Sequence, residues 1–90
     1  MKYNDELLTQ ITQAGTLGYP LSKILNVFDI QDEDQFKKDF YDETTKINKA
    51  YQKGVDKSEF LLDSKLFEMA KDGDIKAMDK LEFRKKQRSK

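Results

Sequence analysis

The sequence predicts an all-α protein, in which an N-terminal helix-turn-helix-like unit of three helices precedes a long helix and an antiparallel helical hairpin. Three observations lead there. Apolar residues recur at steps of three and four along most of the chain. No stretch alternates strictly, and β-branched residues are scattered. Glycine and proline cluster at Gly15, Gly18 and Pro20 and return at Gly73, which divides the periodic segments into helix-sized pieces.

The elements follow in chain order. Leu7, Leu8, Ile11, Ala14 and Leu17 share helical spacing, and Asn4 suits an N-cap, so a helix runs from about Asp5 to Ala14. Gly15 and Gly18 read as the break that ends it. Pro20 fits the first turn of a second helix, where its missing N–H costs nothing. Leu21, Ile24, Leu25 and Phe28 give that helix one apolar face, and it ends near Phe28. Ile30 sits in the turn. Asp32 caps a third helix, whose first turn holds Glu33 and Asp34, where the helix dipole favours carboxylates. Phe36 and Phe40 form an i,i+4 pair on it, with Tyr41 beside them. The last two helices have the spacing of a helix-turn-helix. Residues 1–42 are expected to form this unit and 43–90 the hairpin and its basic tail.

Thr44 is the expected cap of the next helix. Ile47, Ala50, Tyr51, Gly54, Val55, Ser58, Leu61, Leu62, Leu66, Met69 and Ala70 continue one stripe, the longest periodic segment in the chain. Gly54 within it either kinks the helix or admits another backbone. The helix stops at Lys71-Asp72-Gly73, with a lysine suited to the dipole and a glycine suited to the left-handed C′ position. Asp74 caps the last helix, which carries Ile75, Met78 and Leu81 on one face and Phe83 near its edge. So short a connection makes the two helices antiparallel neighbours.

Composition limits what such a chain can do. Apolar residues make up 37% and charged residues 38% of 90, too little apolar material for a large core. The fold is therefore expected to lean on partner subunits. Phe60 and Phe67, seven residues apart, lie beside the main stripe, and two stripes on one helix exceed what a single partner helix covers. The candidate self-association residues are Tyr51, Val55, Phe60, Leu62, Leu66, Phe67, Met69, Ile75, Met78 and Leu81. Replacing Leu62 or Leu66 with aspartate is expected to collapse folding and assembly together.

The chain has no cysteine and no histidine, so the commonest nucleophile, general base and zinc ligands are missing. Asp29 to Asp34 is acidic but lacks the glycine and distal glutamate of an EF-hand loop, and helix capping explains it. Gly15-Thr16-Leu17-Gly18 lacks the lysine of a phosphate loop. The expectation is a protein that is not an enzyme and holds no cofactor or metal. No apolar run approaches a membrane span, and the acidic N-terminus has no signal-peptide core. A cytoplasmic protein follows as the expectation.

Charge is zero overall but divided. Residues 1–45 carry four lysines against nine acids, and residues 46–90 thirteen bases against eight acids, giving −5 and +5. Much of the excess lies in Arg84 to Lys90. The division suits head-to-tail contacts between subunits, or a basic end that meets nucleic acid, or a solvated tail. On the third helix Gln35, Lys37 and Lys38 suit base or phosphate contacts. Its leading Asp32-Glu33-Asp34, however, opposes phosphates. Lys46, Lys49, Lys53 and Lys57 on the long helix read as a solvated face.

The stretch 49–54 reads Lys-Ala-Tyr-Gln-Lys-Gly. Residues 63–78 read Asp-Ser-Lys-Leu-Phe-Glu-Met-Ala-Lys-Asp-Gly-Asp-Ile-Lys-Ala-Met, and residues 80–84 Lys-Leu-Glu-Phe-Arg. Together with Gly18-Tyr19-Pro20-Leu21-Ser22-Lys23-Ile24-Leu25 they resemble the small subunits of phage DNA-packaging terminases, over most of residues 15–86. The resemblance implies a non-catalytic protein of the bacterial host cytoplasm. It would form a homo-oligomer through residues 44–86, meet double-stranded viral DNA through residues 5–41, and hand that DNA to a separate ATPase-nuclease large subunit. The candidate DNA contacts are Lys23, Gln35, Lys37, Lys38, Arg84, Lys85, Lys86 and Arg88. The acidic turn at 32–34 departs from such a reading helix. Two other readings stand beside it: a structural or adaptor protein working by protein contacts, and a small helix-turn-helix transcription regulator.

Overall fold

A computed structural model describes residues 3–88. Met1, Lys2, Ser89 and Lys90, the outer ends of the acidic N-terminus and of the basic tail, lie outside the described residues. Five helices and no strand occur among those described: α1 (Asp5–Leu17), α2 (Leu21–Val27), α3 (Glu33–Tyr41), α4 (Lys46–Lys71) and α5 (Ile75–Arg88). They fall into two compact units, Met1–Ser58 and Glu59–Lys90. The division lies inside α4, whereas the sequence reading divided the chain at 42/43. The physical reason is that Ile47, Ala50, Tyr51 and Gly54, in the first turns of α4, complete the core of the first unit.

In the first unit α1 and α3 start at the caps their sequence implies. Asn4 accepts from the Leu7 N–H at 2.7 Å, and Asp32 accepts from the Gln35 N–H at 3.1 Å. Pro20 is the N-cap of α2 rather than its first turn; its carbonyl accepts from Lys23 and Ile24. At α4 the cap is Thr45, not Thr44. The Thr45 hydroxyl accepts from the Asn48 N–H at 3.2 Å, while Thr44 binds Asp42 through both its N–H and its hydroxyl. Thr45 also donates to the Asp39 carbonyl, and Asn48 Nδ2 donates to the Phe40 carbonyl at 2.8 Å, tying the end of α3 to the start of α4. Those bonds satisfy carbonyls that a helix end would otherwise leave open, and they favour the nearer threonine.

Ile11, Ala14, Ile24, Phe36 and Ile47 form the buried core, one or two from each helix. Complete burial of a side chain such as Phe36 or Ile11 contributes about 1.5–3 kcal/mol. Tyr3 meets Phe36 edge-on at 6.0 Å, and Phe40 meets Tyr51 at 4.8 Å. Leu17 departs from expectation, being 65% exposed. At 100° per residue it lies about 120° from Ile11, beyond the edge of the buried face.

Gly15 does not end α1. The helix continues to Leu17, and Gly18, at φ 72°, closes it, with the Tyr19 N–H reaching the Ala14 carbonyl at 2.9 Å. Gly15 and Gly54 instead lie where α1 and α4 cross. A Cβ on Gly15 would stand 3.0 Å from the Tyr51 carbonyl carbon, and one on Gly54 would stand 2.7 Å from the Thr16 nitrogen. The Thr16 hydroxyl donates to the Gly54 carbonyl across the contact at 3.2 Å. Of the two expectations for Gly54, close backbone approach is the one realised.

In the second unit the end of α4 and α5 form the expected hairpin. The Asp74 N–H reaches the Met69 carbonyl at 3.1 Å, the Gly73 N–H reaches Ala70 at 3.0 Å, and Gly73 has φ 95°. The Asp74 carboxylate then caps α5 through the Ala77 N–H at 3.0 Å. Leu66 and Ala77 are the side chains this unit buries.

Candidate functional site

Most of the hairpin's large apolar side chains are exposed. Phe60, Leu61, Leu62, Phe67, Ile75, Met78 and Phe83 are between 46% and 71% exposed, with Met69 at 39%. Leu66, from α4, and Ala77, from α5, are the side chains the hairpin buries. Leu62, Leu66, Asp79, Lys80, Phe83 and Arg84 line an open groove. Among the ten residues expected to self-associate, Phe60, Leu62, Phe67, Met69, Ile75 and Met78 stand on this surface. Leu66 is buried in the seam and Leu81 is half-buried. Phe83 belongs to the surface as well; its place off the Ile75–Met78–Leu81 face was the available signal. Tyr51 and Val55 lie in the first unit. The Tyr51 hydroxyl donates to the Tyr19 carbonyl at 2.8 Å and its ring packs on Phe40, so it serves the intramolecular core.

The hairpin is clamped by one carboxylate. Arg84 Nε and Arg88 Nη2 donate to the two oxygens of Asp63, the second at 2.6 Å. The Asp63 side chain is 19% exposed. The Arg84 hydrogen bond holds its carboxyl below the usual range against the opposing effect of burial, and Arg88 adds to the lowering. A depressed carboxylate stabilises the fold above its unfolded pKa, and that contribution disappears as pH falls through the folded value. Asp63→Asn is expected to lower hairpin stability by about 1 kcal/mol at neutral pH. The gap from the unsubstituted protein should close on acidification below about pH 4, as read by thermal unfolding in circular dichroism. A gap that stays constant with pH would contradict the clamp.

The candidate DNA contacts belong to both units, Lys23, Gln35, Lys37 and Lys38 to the first and Arg84, Lys85, Lys86 and Arg88 to the second. Lys23 stacks its ammonium over the Tyr19 ring at 4.3 Å. Lys37, Lys38 and Lys86 are exposed. Gln35 is engaged within its own helix, its Nε2 donating to Asp39 at 2.9 Å. The other Asp39 oxygen accepts from the Tyr3 hydroxyl at 2.6 Å. Burial first, and then this hydrogen bond and the Asp39 charge, push the Tyr3 phenol well above its ordinary pKa, so it remains a donor. Arg84 and Arg88 are occupied by Asp63, and Lys85 pairs with Glu82 at 3.4 Å. Asp32, Glu33 and Asp34 are all exposed at the start of α3. In the first unit, Lys46, Lys49 and Lys53 line an open groove with Asp5, Leu8, Thr9, Thr12 and Ala50.

Among the described residues, no helix is long and apolar enough to cross a membrane, and no group of three acidic, histidine or cysteine side chains is placed to hold a metal ion. Comparison with models of protein families, with curated proteins and with solved structures returned no match.

Proposed function

We propose that the protein is a non-catalytic assembly and DNA-binding protein of the terminase small subunit type. In this reading it works in the bacterial cytoplasm, self-associates through the 59–88 hairpin, and presents viral DNA to a separate ATPase-nuclease subunit. The observation that carries the reading is the hairpin surface. A unit that buries Leu66 and Ala77 while exposing Phe60, Leu62, Phe67, Ile75, Met78 and Phe83 has more apolar area to cover than to spend on its own folding. Association with further copies is the economical cover, since every copy brings the same surface. The order of α2 and α3, two short helices joined through residues 28–32, supports the helix-turn-helix part of the reading. The basic C-terminal end from Arg84 onward is the segment available for docking the large subunit.

One observation favours a second reading. Asp32, Glu33 and Asp34 occupy the first turn of α3, which in a helix-turn-helix points towards the groove. Carboxylates there suit a protein partner, as in an adaptor that never touches DNA. A transcription regulator would share the helices but stop at a dimer.

Light scattering with and without duplex DNA, over a range of salt, separates the three. The terminase-like reading expects a particle of many subunits that binds DNA with strong salt dependence. A monomer at high concentration would sink it. A DNA-binding dimer would favour the regulator, and an oligomer indifferent to DNA the adaptor.

A further inference from the structure

We infer that the protein holds duplex DNA by its phosphate backbone on the first turns of α4, through Lys46, Lys49 and Lys53 beside α1, rather than by insertion of α3. The inference rests on the DNA-binding reading above and assigns it a surface.

The three lysines are exposed and line one groove of the first unit. At about 100° per residue they fall within an arc of about 60° on α4. None of them forms an ion pair among the described residues. Asp5 is the one carboxylate lining the groove. The Thr9 and Thr12 hydroxyls give their protons to the Asp5 and Leu8 carbonyls, so the ammonium groups are the donors offered to an anion. With a rise of about 1.5 Å per residue, Lys46 to Lys53 spans about 10 Å. Laid along a duplex, that length covers about three base-pair steps at about 3.4 Å of helix axis each, enough to set the row against consecutive phosphates. A row of point charges, with no planar fork among them, fits a repeating anion better than a single base edge.

The two helices that line the groove are also fixed against each other. Gly15 and Gly54 bring the backbones of α1 and α4 into contact, and Thr16 bonds across it. The backbone that carries the row is therefore held in place before any ligand arrives. The contrast with α3 is electrostatic and geometric. Its leading turn carries Asp32, Glu33 and Asp34, and the Gln35 amide is bound to Asp39. The alternative surface at Arg84 and Arg88 is neutralised in part by Asp63.

The test is the salt dependence of binding to a duplex of arbitrary sequence, measured by fluorescence anisotropy on the full chain. The triple variant Lys46→Gln, Lys49→Gln, Lys53→Gln is expected to reduce the slope of log K against log salt by about 2.7 for each engaged protomer. The matching triple arginine variant should keep the slope, since it retains the charges. If the unsubstituted protein binds duplex DNA and the glutamine variant keeps its slope, this surface is wrong and the DNA-binding reading stands. If the unsubstituted protein fails to bind duplex DNA at low salt, both fall. Tighter binding to single-stranded RNA than to duplex DNA would overturn the inference as well.

Discussion

Gly54→Ala is expected to unfold much of the first unit, although the same substitution in an open helix interior would stabilise by up to about 1 kcal/mol. The sign is decided by what the methyl group meets. It would stand 2.7 Å from the Thr16 nitrogen and closer still to the Thr12 carbonyl oxygen, and both are backbone atoms of a helix that cannot yield locally. α1 would have to move away from α4, breaking the Thr16 bond to the Gly54 carbonyl and opening the layer that holds Ile11, Ala14 and Ile47. Overpacking of this kind costs about 3 kcal/mol or more. The midpoint of thermal unfolding should fall by more than about 10 °C. Gly15→Ala should act similarly, and the pair should be less than additive because both open one interface. A raised melting temperature for Gly54→Ala would show that helix propensity wins and that the two backbones do not touch.

Leu66→Asp and Leu62→Asp are expected to part company. Leu66 is 7% exposed and is the large side chain that the hairpin buries, whereas Leu62 is 46% exposed. Aspartate at 66 removes the leucine's contribution and places an unpaired carboxylate in the seam, at a cost of about 4 kcal/mol or more. With Ala77 as the other buried contact, the hairpin has no reserve. Helix signal from residues 59–88 should be lost in circular dichroism. Aspartate at 62 should leave that signal in place and reduce the mass seen by light scattering. This corrects the sequence-based expectation that both substitutions would collapse folding and assembly together. The stripe shows that both residues face the same side of α4, but not which of them the shorter partner helix covers. Equal loss of helix from both variants would contradict the burial pattern; unchanged mass in Leu62→Asp would remove that residue from the assembly surface.

The helices were legible because each carries its own start and stop. Asn4, Asp32 and Asp74 cap as their side chains imply, and Gly73 ends α4 in the left-handed conformation its position suggests. These are contacts between residues a few positions apart, so sequence contains both partners. The misreadings involve partners in another helix or at its end. Glycine weakens a helix, so Gly15 reads as a break in sequence; its reason for being there is Tyr51, thirty-six positions on. Thr45 rather than Thr44 caps α4 because Asp39 and Asp42 offer carbonyls to the first of these. Tyr51 and Val55 were grouped with the assembly residues because one unbroken stripe runs through α4. Periodicity gives the face a residue occupies and not the element opposite, and that face meets α1 in its first turns and α5 in its last ones.

The same distinction governs the candidate surfaces. Sequence supplied the charges and their spacing, including the lysine row on α4 and the basic end of α5. It could not show that Asp63 draws in Arg84 and Arg88 while Lys46, Lys49 and Lys53 remain without an acidic partner. By itself, then, the sequence determined the all-helical class, the caps at Asn4, Asp32 and Asp74, the turn at Gly73 and the surplus of apolar residues, because caps, turns and period act over a few residues. Only the tertiary structure decided which glycines are contacts, which part of the long stripe is core, and which cations are open to a ligand. Those outcomes depend on pairs of groups brought together from distant parts of the chain, and a local pattern carries no record of its partner.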